Sequence, residues 1–396
     1  MSAQEPDRQM RRSTLLKHTG KPSSPGAKPV NPPLVRASTV LFDSLQELHE
    51  ASARPFQGLY YGRFGTPTHE ALAHALNALS GAAGSVFYPS GLAAIAGTLL
   101  SLVEAGDEIL VADCVYGPTR NFCTQDLARL GVRTRFFSAT EGGQIAAQFS
   151  ADTRLVFCES PGSLTMELQD LPAICAAANA RDIPVLVDNT WATPLHAPVL
   201  AMGAAVDIQA GTKYLTGHAD VMLGAALCRD DVLERVRRRS QSLGYCVSAD
   251  DAYLALRGLR TLDVRLRTHA HNARVLKDWL RDQPEVRRIL DPADPAHPQH
   301  ALWQRDFSGA NGLFSVEFEP LSPARLAAFA DSLSLFGLGY SWGGYESLCL
   351  PFDVRGQREG TDWSDCGTCV RFHAGLEDPE DLLADLAHAL AALRAV

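Results

Sequence analysis

No stretch of this chain is apolar for long enough to cross a bilayer, which takes about 20 residues as a helix. The first thirty residues lack the apolar core of a secretory signal, so the expected location is the cytoplasm. Positive charge is also scarce. Lys and Arg number 36 against 45 Asp and Glu, a net of −9, and no basic block or basic–aromatic stripe breaks that balance. Nucleic acid is thereby excluded as an expected partner, and anionic membranes are disfavoured. The nine cysteines are scattered at 114, 123, 158, 175, 228, 246, 349, 366 and 369, which is not the framework of a small secreted domain and reads as reduced thiols. Cys366-Gly-Thr-Cys369 has the spacing of a metal or redox pair, but no second Cys/His pair completes a four-ligand set. His269 and His271, two apart, point to different sides of a helix. No metal is expected. Nor is there an internal repeat or a low-complexity block beyond alanine-rich helices.

What is present is a globular chain of 396 residues, 46% hydrophobic and 20% charged, long enough for about two or three domains. It is organised around Ala205-Val-Asp-Ile-Gln-Ala-Gly-Thr-Lys-Tyr-Leu-Thr-Gly-His218, a short apolar run ending in a small-residue turn that carries Lys213. A lysine held there loses hydration, its pKa falls, and it becomes an amine able to form an imine with an aldehyde. Taken alone, most lysines after a strand are solvated surface groups. Asp188 ends another apolar run, Pro184-Val-Leu-Val-Asp-Asn-Thr-Trp191, which places both side chains at strand ends of one sheet.

Residues 1 to about 35 are polar, proline-rich and locally basic, an arm that cannot fold alone. Tyr60-Tyr-Gly-Arg-Phe-Gly-Thr-Pro-Thr68 is a Gly/Pro-punctuated loop before a helical run at His69–Leu79, and its hydroxyl and guanidinium suit either an anion or plain solvent. Ser90 and Gly91 should sit at the N-terminus of a helix over Leu92–Leu102, where free amides and the helix dipole make a phosphate seat or simply a good cap. Tyr116 follows the strand Asp107–Asp113 in a turn, placed to lie on an aromatic ring or to pack its loop. Strands alternating with helices through Leu155–Cys158, Ala173–Ala180 and Val185–Val187 predict a mostly parallel sheet with ligands at its carboxyl edge.

Leu259, Leu262, Leu266, Ala273, Leu276 and Leu280 mark one face of a long helix leading to a second unit. There Phe314, Val316 and Phe318 alternate with Ser315, Glu317 and Glu319 as a period-two strand. A last helix opens at Asp378-Pro379. Arg371, flanked by Val370 and Phe372 on a strand, fits a bidentate carboxylate or a structural salt bridge.

Several motifs in order carry a resemblance: Tyr61-Gly-Arg63, Glu159-Ser-Pro161, Asp188-Asn-Thr-Trp191, Thr212-Lys-Tyr-Leu-Thr-Gly-His-Ala-Asp220 and Leu256-Arg-Gly-Leu-Arg-Thr-Leu262. Together they resemble the pyridoxal-phosphate transsulfuration enzymes, from about residue 15 to the end. Tyr340-Ser-Trp-Gly-Gly-Tyr-Glu-Ser347, residues 300–312 and His373-Ala-Gly-Leu-Glu-Asp378 resemble its bacterial β-lyase branch, whereas γ-acting relatives typically carry Glu-Ser-Leu-Gly-Gly at the first of these. Two departures stand near the lysine: Ala210 where serine is frequent as a phosphate ligand, and Ala205 where an acid or amide is usual.

The resemblance implies an α/β, aminotransferase-like architecture of fold type I, with a mostly parallel seven-stranded sheet and a smaller C-terminal α+β domain. Its division would be an arm over 1–60 contacting a neighbouring subunit, a cofactor-binding domain over 61–255 and a small domain over 256–396. Lys213 would hold pyridoxal 5'-phosphate as an imine, Asp188 would keep the pyridine nitrogen protonated and Tyr116 would stack on the ring and share in catalysis. Gly91, Leu92 and Thr212 would bind the phosphate with Tyr61 and Arg63 of the adjoining subunit, in a homotetramer. Ser341, Trp342 and Arg371 would hold the substrate. The implied reaction is β-elimination of L-cystathionine to homocysteine, pyruvate and ammonia, with side activity on cysteine or cystine. A γ-acting sibling and a non-catalytic cofactor-binding regulator are the alternatives. A thiolate leaving group, conjugate acid pKa about 8.5 against roughly 15.7 for water, makes Cβ–S cleavage the easier step.

Overall fold

The computed structural model describes residues 10–22 and 26–396. The parts of the N-terminal arm at 1–9 and 23–25 lie outside the described residues.

Seven strands form the larger sheet: β1 (Gly84–Tyr88), β2 (Glu108–Ala112), β3 (Arg133–Phe137), β4 (Thr153–Glu159), β5 (Val185–Asp188), β6 (Val206–Ala210) and β7 (Gly224–Cys228). Their order is β1-β7-β6-β5-β4-β2-β3, and only β7 runs against the rest. Sequences such as Val185-Leu-Val-Asp188 are apolar without alternation because helices cover both faces of a parallel sheet, and all four of these residues are buried. The α/β fold expected from strand–helix alternation is therefore the fold observed.

Five further strands make a second sheet: β8 (Val286–Leu290), β9 (Leu313–Phe318), β10 (Gly337–Leu338), β11 (Leu348–Phe352) and β12 (Thr368–His373), ordered β10-β11-β12-β9-β8. Phe314, Val316 and Phe318 of β9 pack with Val370 and Phe372 of β12 against the terminal helix Pro379–Ala395. The other face of β9 is not open to water as a period-two strand would suggest. Ser315 and Glu317 are buried too, with Ser315 Oγ donating to Leu164 O at 2.6 Å and Glu317 taking Arg287 at 3.1 Å and the Gly367 amide at 2.8 Å.

The expected long helix is two. Ala249–Leu259 and Leu262–Arg281 meet at Thr261, whose φ of −109° and ψ of 2° leave the helical well. Gly258 explains the geometry. A Cβ there would stand 2.4 Å from Thr216 O, so only glycine lets this helix approach the turn that follows Lys213. Arg265, one turn into the second helix, donates to Tyr214 O at 2.8 Å and ties the same turn.

Part of the N-terminal segment docks on its own chain. Leu16 of the helix Arg12–His18 is buried beside Leu256 and Leu72, Arg260 donates to Leu16 O at 2.6 Å, and Arg12 donates to Leu195 O at 3.0 Å. Beyond it the helix Leu45–Ala53 buries nothing, and Leu41 and Leu45 stand exposed. Between β11 and β12, residues 353–363 form a strap reaching the larger sheet. Val354 and Trp363 enter its core, the Gly360 amide donates to Asp113 Oδ2 at 2.7 Å, and Arg358 donates to Ser163 O at 2.9 Å. All nine cysteines are free, with Cys246 exposed and Cys366 half-buried. Among the described residues no helix is long and apolar enough to cross a membrane, and no group of three or more His, Cys, Asp or Glu is placed to hold a metal ion.

Candidate active site

β5 and β6 lie side by side and parallel, so their carboxyl ends share one edge of the sheet. Asp188 is the last residue of β5. Just past the end of β6 the chain turns tightly, with Lys213 N donating to Ala210 O at 3.0 Å and Gly217 N to Lys213 O at 2.9 Å. This turn aims the lysine back over the strand ends. Its Nζ donates to Ser341 Oγ at 2.5 Å and sits 5.4 Å from the centre of the Trp342 ring. Burial, joined by the neighbouring Arg371 charge, brings the Lys213 pKa down to about 8, with Asp188 pulling the other way.

Asp188 is buried, and burial raises its pKa while the Thr190 contacts and Lys213 oppose the rise. Oδ1 accepts both the Thr190 hydroxyl at 2.5 Å and the Thr190 amide at 3.1 Å. Oδ2 has no hydrogen bond among the described residues and is left for a donor that arrives from outside. Thr190 is itself fixed, because its Oγ1 accepts the Ala210 amide at 2.8 Å.

The helix Gly91–Leu102 starts at the same edge. Ser90 Oγ caps it by accepting the Ala93 amide at 3.1 Å, which leaves the first-turn amides of Gly91 and Leu92 without intrahelical partners. A Cβ on Gly91 would come within 2.5 Å of Ala210 Cβ, so glycine and alanine together let the helix end close on β6. That close contact occupies the position where serine is frequent in the resembled family. Ala205, the other departure, is fully buried. Thr212, in the lysine turn, is tied to the residue before β7, with Leu223 N donating to its Oγ1 at 3.0 Å.

Tyr116 follows β2 in the turn held by its own amide, which donates to Glu159 Oε2 at 2.7 Å. Burial and then Glu159 raise the hydroxyl's pKa, with Arg371 opposing and Asp188 adding, so the phenol lies within reach of both groups' fields. Arg371, on β12, donates from Nη2 to Ser341 O at 3.0 Å, and burial lowers its pKa to about 10. Its Nη1 and Nε have no acceptor among the described residues, which suits a carboxylate from outside.

Lys213, Asp188, Gly91, Leu92, Thr212, Tyr116, Ser341, Trp342 and Arg371 thus come from three strand ends, one helix end, the turn before β11 and the interior of β12. Tyr61 and Arg63 do not join them within the chain. Arg63 donates to Gln241 O at 3.1 Å and Gln241 Oε1 at 2.8 Å, and packs over Phe64. The sequence alone does not single out Thr190 or His373; Thr190 lies inside Asp188-Asn-Thr-Trp191, and the signal for His373 is that it shares its strand face with Arg371.

The donor set fits pyridoxal phosphate: two unpaired helix-start amides for a phosphate, an unpaired buried carboxylate oxygen for a ring N–H and a desolvated amine for an aldehyde. Comparison with known proteins agrees. The signature of the Cys/Met metabolism PLP-dependent enzymes matches residues 13–391. The chain is 46% identical to a cystathionine β-lyase of Bordetella avium, over 95% of this chain and 96% of that one. It is 42% identical to the cystathionine β-lyase MetC of Escherichia coli (strain K12), over 94% and 96%. Its fold superposes on the crystal structure of metB from Corynebacterium glutamicum with a TM-score of 0.88 at 29% identity, covering 97% of this chain and 99% of that one. A signature spanning nearly the whole chain, with a lysine, a carboxylate and a helix end in working geometry beneath it, places the chain in the family of Cys/Met metabolism PLP-dependent enzymes.

Proposed function

We propose that the protein catalyses β-elimination of L-cystathionine to homocysteine, pyruvate and ammonia. The carrying observation is the Lys213 amine, held 2.5 Å from Ser341 Oγ and 5.4 Å from the Trp342 ring centre, against the turn that also receives Arg371. Bound at Lys213, pyridoxal phosphate supplies an electron-accepting ring for negative charge at Cα.

The chain's own residues do the rest. Arg371 takes the substrate carboxylate with its two unpaired N–H groups, which orients Cα–H toward Lys213. Once the substrate's own amine takes its place on the cofactor, the Lys213 amine, its pKa brought to about 8 chiefly by burial, would remove that proton. Asp188 Oδ2 would accept the ring N–H⁺, and a cation facing it would favour the carboxylate that burial alone disfavours. Gly91, Leu92 and Thr212 would hold the phosphate. Tyr116 would cover the ring, and Trp342 would wall the substrate side. Homocysteine departs as its thiolate, and water converts the remaining three-carbon enamine to pyruvate and ammonia.

Tyr61 and Arg63 complete the phosphate site from an adjoining subunit, in a homotetramer built of such pairs. The exposed apolar residues around 41–61 and the placement of Arg63 on Gln241 support this reading. The division into 1–60, 61–255 and 256–396, and a cytoplasmic location, belong to the same proposal. Incubation with L-cystathionine is the test. Pyruvate and homocysteine in equal amounts are expected, and 2-oxobutyrate with cysteine would move the protein to a γ-acting sibling. Cystine assayed in parallel reads the side activity.

A further inference from the structure

β12 sends alternate side chains to its two faces. Val370 and Phe372 enter the core of the small sheet, and Arg371 and His373 face the turn Ser341–Glu346. Arg371 was assigned above to the substrate. His373, two residues on, is fully buried and has no assigned role.

Its contacts define its state. The Gly343 amide donates to Nε2 at 3.1 Å, and Nδ1 lies 3.0 Å from Glu346 O. An amide only donates and a carbonyl only accepts, so the ring is the neutral tautomer with its proton on Nδ1. Burial keeps it neutral, assisted by His269, whose ring centre is 5.0 Å away, and by the Arg371 and Lys213 charges. One imidazole therefore staples both ends of a four-residue span.

The turn that leads into that span needs holding. Ser341 has φ +83°, a left-handed conformation unfavourable for a residue with a Cβ. Gly343, at φ +87°, lies so close to the lysine turn that a Cβ would stand 2.9 Å from Tyr214 N and 3.0 Å from Lys213 C. The turn is pressed against Lys213's own backbone on one side and pinned by His373 on the other. Through Ser341 it meets both reacting partners, Oγ with Lys213 Nζ and the carbonyl with Arg371 Nη2.

We propose that His373 is a positioning residue: by stapling Gly343 and Glu346 it sets Ser341 between Lys213 and Arg371, and so fixes how a substrate's carboxylate and Cα–H meet the Lys213 amine. It touches neither substrate nor cofactor. The assignment rests on the reaction proposed above for its kinetic readout, but not for its binding readouts.

The test uses the full-length holoenzyme with His373→Phe, which keeps ring volume and removes both hydrogen bonds, and His373→Asn, which keeps a donor and an acceptor. The measurements are cofactor absorbance per chain, the pH midpoint of the visible band, the dissociation constant for glycine, an amino acid without a leaving group, and kinetics on L-cystathionine. Expected for His373→Phe are normal cofactor content, a moved pH midpoint, and KM and glycine dissociation constant raised roughly 10- to 100-fold with a smaller fall in kcat. His373→Asn should recover part of each. Glycine affinity and pH midpoint within about twofold of the parent in His373→Phe would overturn the assignment. So would cofactor content, KM and kcat falling together in both variants, the mark of a structural role alone. If His373→Phe does not fold, the same criteria are applied to His373→Asn. A parent that gives no pyruvate from cystathionine refutes the proposed reaction, while glycine affinity and the pH midpoint still judge His373.

Discussion

Lys213 carries the sharpest consequences at the scale of single residues. Its folded pKa of about 8 lies below the ordinary lysine value of 10.5, so the charged form is the one disfavoured. Below pH 8 most chains hold an ammonium that cannot attack an aldehyde, and above it the amine is free. Stripped of cofactor, the protein should recapture pyridoxal phosphate at a rate that climbs about tenfold per pH unit below pH 8 and then levels off. Absorbance stopped-flow would read this, and a climb continuing beyond pH 10 would mean the lysine is not desolvated. Lys213→Ala should abolish the visible band of the bound cofactor and lower kcat by about 10²–10⁴-fold, the ordinary worth of a positioned proton acceptor. Arg371→Lys keeps charge and loses the fork. Hydrogen bonds to charged groups are worth about 1.5–3 kcal/mol, so KM should rise roughly 10- to 150-fold with kcat less affected.

Among elements, the helix Gly91–Leu102 shows how a local start becomes a binding site. Ser90→Ala removes the cap and should cost about 1 kcal/mol of stability, read as a lower thermal midpoint with little change in cofactor affinity. Gly91→Val should do the reverse in emphasis. Its side chain would enter the space held by Ala210, push the helix end from β6 and weaken cofactor binding, measured by equilibrium dialysis. What could be read from sequence divides along the same line. Strand runs such as Val185–Asp188 and the Ser90 cap are local signals, and they predicted both the sheet and the edge where Asp188 and Lys213 meet. The break at Thr261, the burial of Glu317 and the role of Thr190 depend on partners far along the chain, which no local pattern contains. The place of His269 in a buried cluster of rings with Tyr214 and His373 likewise comes only from tertiary packing.

For the whole molecule, the strap at 353–363 matters because it joins the two sheets through a few specific contacts. Removing one buried partner leaves the other unsatisfied at a cost of about 1–3 kcal/mol, so Asp113→Ala should make residues 353–365 more readily cut by protease. Unchanged cleavage would show that Val354 and Trp363 hold the strap by themselves.

Cys246 gives this protein an unplanned reporter. It is the exposed thiol among nine cysteines, and it lines the same small cavity as Arg63 and Gln241. A maleimide dye attached there would sit on the surface where a second copy is proposed to dock. Slow labelling in concentrated solution and rapid labelling on dilution would let association be followed one chain at a time, without reference to turnover.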